Sequence, residues 1–547
     1  KVYQNGRLSK SRIKYNYLNT NLMLNFHKTW GDFDVAALAG TATEDTKTTS
    51  HAQWGHNFNV PGTISFENIL KENRDASDRV SQKRLVGVYG EVRASWKNMV
   101  YLTVTGRNDW TSTLPKDNCS YFYPSVSGSF VFTELLPENN VLTFGKIRGS
   151  WAEVGKDTDP YTTNTSMWAT QIVNGNFIGI GNYWEAGHRF LKPEKQRAWE
   201  IGTELKFFNG RLGVDYTYYE SETHNQIASP RLAQSTGYIL FAMNSGSVKN
   251  KGMELMITGT PVENKNFGWD ITLNMAGNRG TLGDFVDGIN FMKVTDAQLG
   301  GVMAASIANG GAFLGLIGEK WVKAKDENGV ETDTYMVDPA TGLYKLSGQD
   351  NVVANREAKF TGGLTNTLRW KDLSFSFLLD FRVGGDIYNG TQYYLTSRGQ
   401  SMRTLQREAV TVEGINASTG EPFSQTYRAG ESYMIGGLSR SGEYMIQEYW
   451  NNYCQNSYNF IQDVNWLKLR SVNLSYDFTN LIKGQNVLKG LTASFSANNL
   501  FTLTNYEGGM DPEVAAVGAA GGSGSVGIDY CGVPVQRSFS FGLNLTF

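Results

Sequence analysis

Few residues in this chain have the type and spacing that chemistry would need. Its five histidines are His27, His51, His56, His188 and His224. None forms the i, i+4 pair that holds zinc on a helix, and no nucleophile elbow supplies a serine for a Ser-His-acid set. Cys119, Cys454 and Cys531 lie too far apart for a local metal knuckle, and their odd number leaves at least one unpaired. Gly508–Gly509 and the run Gly518–Gly527 lead into no helix, so they read as flexible loop and not as a phosphate cradle. The expectation is a non-enzyme with no catalytic residues, no metal and no cofactor. With 50 Lys and Arg against 52 Asp and Glu, the net charge of −2 offers no basic footprint, so no nucleic-acid partner is expected.

The elements that could position a site are strands. Glycine numbers 60 of 547 residues, proline 12, and Phe, Tyr and Trp together 69, while charged residues make up 19%. A chain rich in glycine and aromatics but poor in proline suits many long strands and argues against a disordered chain. Mean hydropathy is −0.36. No run of 18 apolar residues could cross a membrane as a helix. The nearest stretch, Met303–Gly318, is interrupted by Ser306, Asn309 and four glycines.

Period-two alternation recurs along the whole chain. Leu373, Phe375, Phe377, Leu379 and Phe381 alternate with Ser374, Ser376, Asp380 and Arg382, and the end of the chain repeats the pattern through Phe539, Phe541, Leu543, Leu545 and Phe547. This template predicts about 15 strands, at 15–28, 33–44, 84–96, 99–112, 123–134, 142–155, 196–207, 211–227, 249–260, 268–280, 356–370, 373–388, 464–478, 490–503 and 535–547. The connections between them alternate short and long. Turns such as 29–32, 97–98 and 371–372 take turns with loops such as 45–83, 281–355 and 389–463. In an up-and-down meander every second connection lies at the same end. One rim therefore carries only tight turns and the other all the large loops, which is the plan of an outer-membrane β-barrel.

Aromatics support this independently. Trp30, Phe33, Trp96, Phe207, Trp269, Trp370, Phe478 and Phe547 gather at strand ends beside the short turns, where an interfacial girdle would sit. A soluble β-sandwich is the alternative, and strands of about 12 residues with one-sided loops argue against it. The strand count is odd, whereas single-chain bacterial barrels have an even count with both ends periplasmic. With Phe547 on the periplasmic rim, Lys1 falls in an outer loop. The expectation is a chain that begins inside a larger barrel, after a nick in an exposed loop.

Several spaced motifs lie on these strands: Asn16–Phe26 (NYLNTNLMLNF) with Val35–Gly40 (VAALAG), Asn244–Met253 (NSGSVKNKGM) with Glu254, Phe360–Trp370 (FTGGLTNTLRW), Val464–Tyr476 (VNWLKLRSVNLSY), Ser496–Leu503 (SANNLFTL), Asp511–Glu513, and the terminal Phe547. In this order they resemble the SusC/RagA-type TonB-dependent outer-membrane transporters over essentially the whole chain. The resemblance implies an all-β, antiparallel transmembrane barrel of 22 strands, of which residues 1–547 would supply the C-terminal part, about 15 strands. The plug domain and first strands would belong to an N-terminal segment of the same transporter, which would also contact TonB. The implied activity is energy-dependent uptake of oligosaccharides or peptides through the outer membrane of a Gram-negative bacterium. A SusD-like surface lipoprotein would act as a lid, outer-membrane lipid would surround the wall, and the loops would be extracellular. A passive porin and a surface receptor or adhesin remain the alternatives. One departure concerns calcium. Asp338–Asp350 (DPATGLYKLSGQD) lacks the alternating oxygen ligands of a calcium loop, and Asp326–Gly329 (DENG) reads as an Asn-Gly turn, so no metal is expected in either.

Within that frame, ligand contacts are expected from loop aromatics and lumen charges. Trp110, Trp168, Trp184, Trp321, Tyr393, Tyr394 and Trp450 lie in or beside the long loops, where a ring face can stack on the CH-rich face of a sugar while its edge meets water. Packing of loop against loop is the competing reading for each. Asp380 and Arg382, with Glu200, Glu204 and Asp215, are expected to line a wet lumen or to pair with plug residues. The two longest loops, 281–355 and 389–463, are expected to dock the lid; the alternative is that both fold inward and only narrow the mouth. The apolar stretch Met303–Ile317 would be an exposed patch unless a partner covers it.

Overall fold

In a computed structural model the alternation becomes one long antiparallel meander. The described residues run from 5 to 547, without 138, 174–175, 183, 232, 284, 286–287, 485–486, 509–510 and 514–525; the side chains of 167–182, 234 and 295–297 are also outside the description. Fifteen strands follow one another in chain order through the main sheet. They are β1 (Arg7–Trp30), β2 (Phe33–His56), β3 (Arg74–Trp96), β4 (Val100–Thr111), β5 (Ser120–Val131), β6 (Leu142–Lys156), β7 (Glu194–Phe207), β8 (Leu212–His224), β9 (Ser247–Glu263), β10 (Phe267–Gly283), β11 (Phe360–Trp370), β12 (Leu373–Val383), β13 (Trp466–Asp477), β14 (Gly490–Thr504) and β15 (Ser538–Thr546). A short piece, Gly311–Ala312, adds to Thr281–Leu282 of β10. Each corresponds to one strand predicted from alternation.

The chain divides into two compact units. The first holds residues 1–131, 148–200 and 221–247, and the second 132–147, 201–220 and 248–547.

In the first unit, register turns alternation into faces. Phe26, Ala37, Val92, Val104 and Val126 form one row across β1 to β5, and the neighbouring row is Asn25, Leu38, Glu91, Thr105 and Ser125. A slip by one residue would exchange the two faces. The β3–β4 turn places Lys97 and Asn98 at φ 53° and 52°, a left-handed pair that matches strand twist, with Met99 as the third residue of the connection between Trp96 and Val100. Trp30, Phe33 and Trp96 lie side by side at these turns and are exposed, with the rings of Phe33 and Trp96 6.2 Å apart. β1, β2 and β3 run 24, 24 and 23 residues, well beyond the predicted spans. The polar stretch Thr41–Ser50 shows no apolar alternation, so sequence reasoning assigned most of it to a loop. It is strand because its backbone is paired on both sides.

In the second unit, β10 to β15 form a continuous ladder. Trp370 and Phe547 are exposed, while Phe207, Trp269 and Phe478 are half-buried. The indole N–H of Trp269 donates to Oδ1 of Asn366 at 3.2 Å. The predicted strand 373–388 stops at Val383, because Gly384 and Gly385 take φ of 71° and 94°, which side-chain-bearing residues rarely adopt. Asp386–Tyr388 then pairs with Ile461–Asp463 in a separate ribbon.

The long loops of this unit are folded structures. A four-stranded sheet joins Phe291–Leu299, Val302–Ile307, Gly315–Gly318 and Asn351–Asn355. A five-stranded sheet joins Lys323–Lys325, Glu331–Asp338, Leu343–Tyr344, Ala409–Asn416 and Pro422–Arg428. Two helices, α1 (Gly390–Ser397) and α2 (Gly442–Gln455), complete them. One core gathers Leu299, Val302, Leu316, Tyr388, Cys454, Phe460 and Ile528; a second gathers Val337, Leu343, Val412, Tyr427, Met445 and Ile446. This corrects the expectation for Met303–Ile317. Val302, Ala304, Ala305, Leu316 and Ile317 are fully buried within the loops' own cores, so this stretch is no patch awaiting a partner.

The packing orders the three thiols. Cys454 on α2 is buried and burial pushes its pKa up to about 11, whereas Cys119 is half-buried and Cys531 exposed. A maleimide at pH 8 is therefore expected to label Cys531 first, Cys119 more slowly, and Cys454 only after denaturation. Labelling of Cys454 in the native protein at the rate of Cys531 would show that α2 is not packed as described.

Candidate functional site

The part of the second unit best built to act on a ligand is the place where three loops meet the ends of the wall strands. Arg356, 4% exposed, lies between them. Its Nη1 donates to the carbonyl of Val526 at 2.5 Å, and its own carbonyl accepts from Nη2 of Arg382 at 2.8 Å. Burial lowers the Arg356 pKa to about 10. Next to it, the carboxylate of Glu357 accepts the backbone N–H of Gly280 at 2.8 Å and Nδ2 of Asn278 at 2.9 Å, tying the loop root to β10. Asp529 plays a similar part in the third loop. Its Oδ2 accepts from the Tyr506 hydroxyl at 3.0 Å and from the backbone N–H of Thr391 at 3.2 Å in the first turn of α1. Burial, together with the Asp529 charge, pushes the Tyr506 pKa far up, so the phenol stays a donor.

A second charged group fastens the same loop to the wall. Nζ of Lys468, on β13 and almost fully buried, meets Asp511 at 2.5 Å and Glu513 at 2.7 Å. Arg470 pairs with Asp380 at 2.6 Å and also with Glu513. Arg470 occupies a bulge: Leu469 and Ser471 face Leu379 and Leu378 of β12, leaving it as the extra residue. A bulge re-aims one side chain without losing the flanking ladder, and here it turns the guanidinium toward the loop. Burial raises the Glu513 pKa, but hydrogen bonds from Arg470 and Lys468 outweigh it and hold the carboxyl below its ordinary value.

The residues expected to touch ligand divide by exposure. Trp184 is 71% exposed and Trp110 42%, both in the first unit. In the second, Tyr394 is exposed on α1, while Tyr393 is half-buried against Tyr388 and Phe460. Trp321 is corrected: at 8% exposure it packs against Tyr344, Tyr335 and Tyr453, so it belongs to a loop core and presents no free ring face. Trp450 is part-buried beside Tyr449 and Tyr453. The side chain of Trp168 lies outside the described residues. Asp380 and Arg382 do not act as a pair. Asp380 is held by Arg470, and Arg382 donates to the backbone carbonyls of Gly384 and Arg356. Asp326 spends its Oδ1 on the N–H groups of Asn328 and Val330 in its own turn.

Sequence reasoning did not find the cavity of about 470 Å³ between Asp338–Leu346, Ile435–Arg440 and α2, lined by Lys345, Arg440, Tyr444, Glu448 and Asn452. Nor did it find the roles of Arg356, Glu357, Lys468 and Asp529. A signal existed only for Lys468, in the motif Val464–Tyr476, and for its partners in Asp511–Glu513.

Residues 2–337 match the protein family described as TonB dependent receptor-like, beta-barrel. Among similar proteins are TonB-dependent receptor P26 of Formosa agariphila, 24% identical over 94% of this chain and 51% of its own, and TonB-dependent receptor SusC of Bacteroides thetaiotaomicron, 24% identical over 98% and 50%. The solved RagAB peptide transporter shares the fold, with a TM-score of 0.74 at 20% identity over 99% of this chain and 56% of its own. The chain spans about half the length of the curated relatives it matches.

Because the Glu513 carboxyl is held below its ordinary value of 4.5, the stability it lends is fully present above that value and is lost as pH falls through the lower, folded one. Protease resistance at the described residues of the loop that carries Glu513 is expected to be unchanged from pH 7 to pH 5 and to drop only below the ordinary carboxyl value of 4.5. Glu513→Gln is expected to weaken the loop at pH 7 by roughly 1–3 kcal/mol, with the difference from wild type shrinking as the carboxyl is protonated. Equal cleavage rates in variant and wild type would contradict this.

Proposed function

The chain belongs to the TonB-dependent receptor-like β-barrel family, and we propose that it forms most of the wall and mouth of an active importer in the outer membrane of a Gram-negative bacterium. The observation that carries this reading is the sheet itself. Fifteen strands run in one meander, and among the described residues β1 pairs with β2 alone and β15 with β14 alone. Their side chains are exposed, among them Leu22, Leu24, Phe541 and Leu543. In hydrocarbon each unpaired backbone group costs several kcal/mol, so these edges require partner strands. We assign those strands, together with a plug and the TonB-contacting segment, to further sequence of the same transporter, completing a barrel of 22.

In this reading Trp30, Phe33, Trp96, Phe207, Trp269, Trp370, Phe478 and Phe547 mark the periplasmic interface, and the folded loops face outward. Ligand meets Trp110, Trp184 and Tyr394 first. The loops carry their own cores and are fastened by buried ions, which suits a mouth that must keep its shape while a SusD-like lipoprotein lid opens and closes over it. The ligand class is an oligosaccharide or a peptide; the aromatics are compatible with both. No residue is assigned a catalytic role.

The test is growth and uptake in a deletion strain supplied with a panel of glycans and peptides. Loss of uptake of one ligand class, restored by the gene and abolished by removing TonB, is the expected result. Uptake that persists without TonB would favour a passive porin. Intact uptake with lost surface binding would favour a receptor or adhesin. Trp184→Ala and Tyr394→Ala are each expected to raise the half-saturating ligand concentration about fivefold, corresponding to ~1 kcal/mol of lost stacking, with outer-membrane levels unchanged.

A further inference from the structure

The cavity of about 470 Å³ in the second unit is built by two loops alone. Every residue lining it lies between β10 and β11 or between β12 and β13, and none lies on a wall strand. Its volume falls in the range of small-molecule sites, about 300–1,000 Å³. One long side is a face of α2. Tyr444, Glu448 and Asn452 line it there at every fourth residue, so their side chains stand in a row. The other side is the segment Asp338–Leu346.

The two ends of that row differ in charge. One end offers two acceptors and no cation on the helix. Asn452 is 7% exposed, and its Nδ2 donates to the carbonyl of Tyr344 at 2.8 Å. That bond orients the amide and leaves Oδ1 buried, with no hydrogen-bond partner among the described residues. A buried acceptor without a donor is costly, so it points to a ligand that donates. Glu448, one turn earlier, accepts Nδ2 of Asn451 at 3.1 Å, and among the described residues it forms no ion pair. At the other end, the guanidinium of Arg440 lies 4.9 Å over the ring of Tyr444. Lys345 adds a second, exposed cation to the lining, and among the described residues neither cation forms an ion pair. Asp338, the remaining acid, is turned to its own loop, where it accepts the N–H of Ala340 at 3.0 Å.

We propose that this cavity captures short peptides with free ends, holding the α-ammonium against Glu448 and Asn452 and the C-terminal carboxylate against Arg440. The proposal rests on the import reading above and narrows its ligand class to peptide. An ammonium brings three donors and a positive charge, which serve the Glu448 carboxylate and the orphaned Oδ1 together. The guanidinium is a planar fork that takes a carboxylate by two parallel bonds while its face stays on the tyrosine ring. The spacing sets the length. At a rise of about 1.5 Å per residue, Glu448 and Asn452 lie about 6 and 12 Å along α2 from Tyr444. An extended chain covers about 3.3 Å per residue, so a tripeptide of about 10 Å joins the two ends. Leu343, Ile435 and Met445, also in the lining, give its side chains apolar contact. A neutral oligosaccharide brings hydroxyl donors but no charge for either end.

The experiment uses the full-length transporter, purified from outer membranes in mild detergent. Binding of alanyl-leucyl-alanine is measured by titration calorimetry beside its N-acetylated form, its C-terminal amide and maltotriose. Glu448→Gln and Arg440→Gln test the two ends. Lys325→Gln, exposed in the same loops and outside the cavity, is the control, and thermal unfolding of each variant reports folding. The expected result is an affinity loss of about tenfold on acetylation and about tenfold in Glu448→Gln, with acetylation costing nothing further in that variant. Amidation and Arg440→Gln should be linked in the same way, and the control should bind as wild type. If a variant fails to fold, the acetylated and amidated peptides on the wild-type protein still decide. No binding of the free peptide, equal binding of its blocked forms, unchanged affinity in a folded Glu448→Gln, or maltotriose bound more tightly with the same dependence on Glu448 would overturn the proposal. Binding by the purified protein needs no TonB. Glu448-dependent binding without any uptake would therefore sink the import reading and uphold the site, while TonB-dependent uptake with binding indifferent to Glu448→Gln would sink the site alone.

Discussion

Backbone hydrogen bonding in a medium without water is the constraint from which the rest of this structure follows. A strand placed in hydrocarbon must satisfy its N–H and C=O groups on both edges, so a single strand or an open sheet is not an option. The chain meets the constraint with a meander in which each strand pairs with its sequence neighbours, closed by turns such as that at Lys97 and Asn98. Once the ladder is fixed, the side-chain faces are fixed too. The row Phe26–Ala37–Val92–Val104–Val126 and its neighbour Asn25–Leu38–Glu91–Thr105–Ser125 face opposite ways. The wall leaves little freedom for variety, which moves to the long loops.

Those loops obey different rules. They stand in water and must hold shape without a continuous ladder, so they build small hydrophobic cores and spend buried ions at their roots. Arg356, Glu357, Lys468 and Asp529 each have several hydrogen-bonding partners. Breaking such a group leaves a charge stranded away from water, which makes the arrangement specific as well as stable. Beyond the apolar rows, β1 to β3 continue as polar strands because pairing, once established, is extended at little cost by Thr- and Ser-rich sequence that has no competing core to join.

The wall was legible in the sequence and the loops were not, for a physical reason. Wall strands carry apolar side chains on one face and polar ones on the other, so residues such as Leu373 to Phe381 alternate with period two and announce themselves. Polar strands such as Thr46–His51 bury no face and gave no such signal. In the loops, a buried aromatic and an exposed one have the same letter. Trp321 and Trp184 could not be told apart until packing placed one against Tyr344 and left the other open. Met303–Ile317 is apolar whether a partner or its own sheet covers it. Arg356 carried no pattern, because its Nη1 is held by the backbone carbonyl of Val526, a group any sequence supplies.

The central claim is that β1 and β15 are interior strands of a closed wall in the membrane. Amide hydrogen exchange of the full-length protein in lipid bilayers tests it most directly. The amides of Leu18–Trp30 and Phe539–Leu545 should exchange as slowly as those of β12, which is paired on both sides. Exchange in those two segments as fast as in the exposed segment Gly532–Gln536, with β12 still protected, would show that the edges are open and would contradict the account.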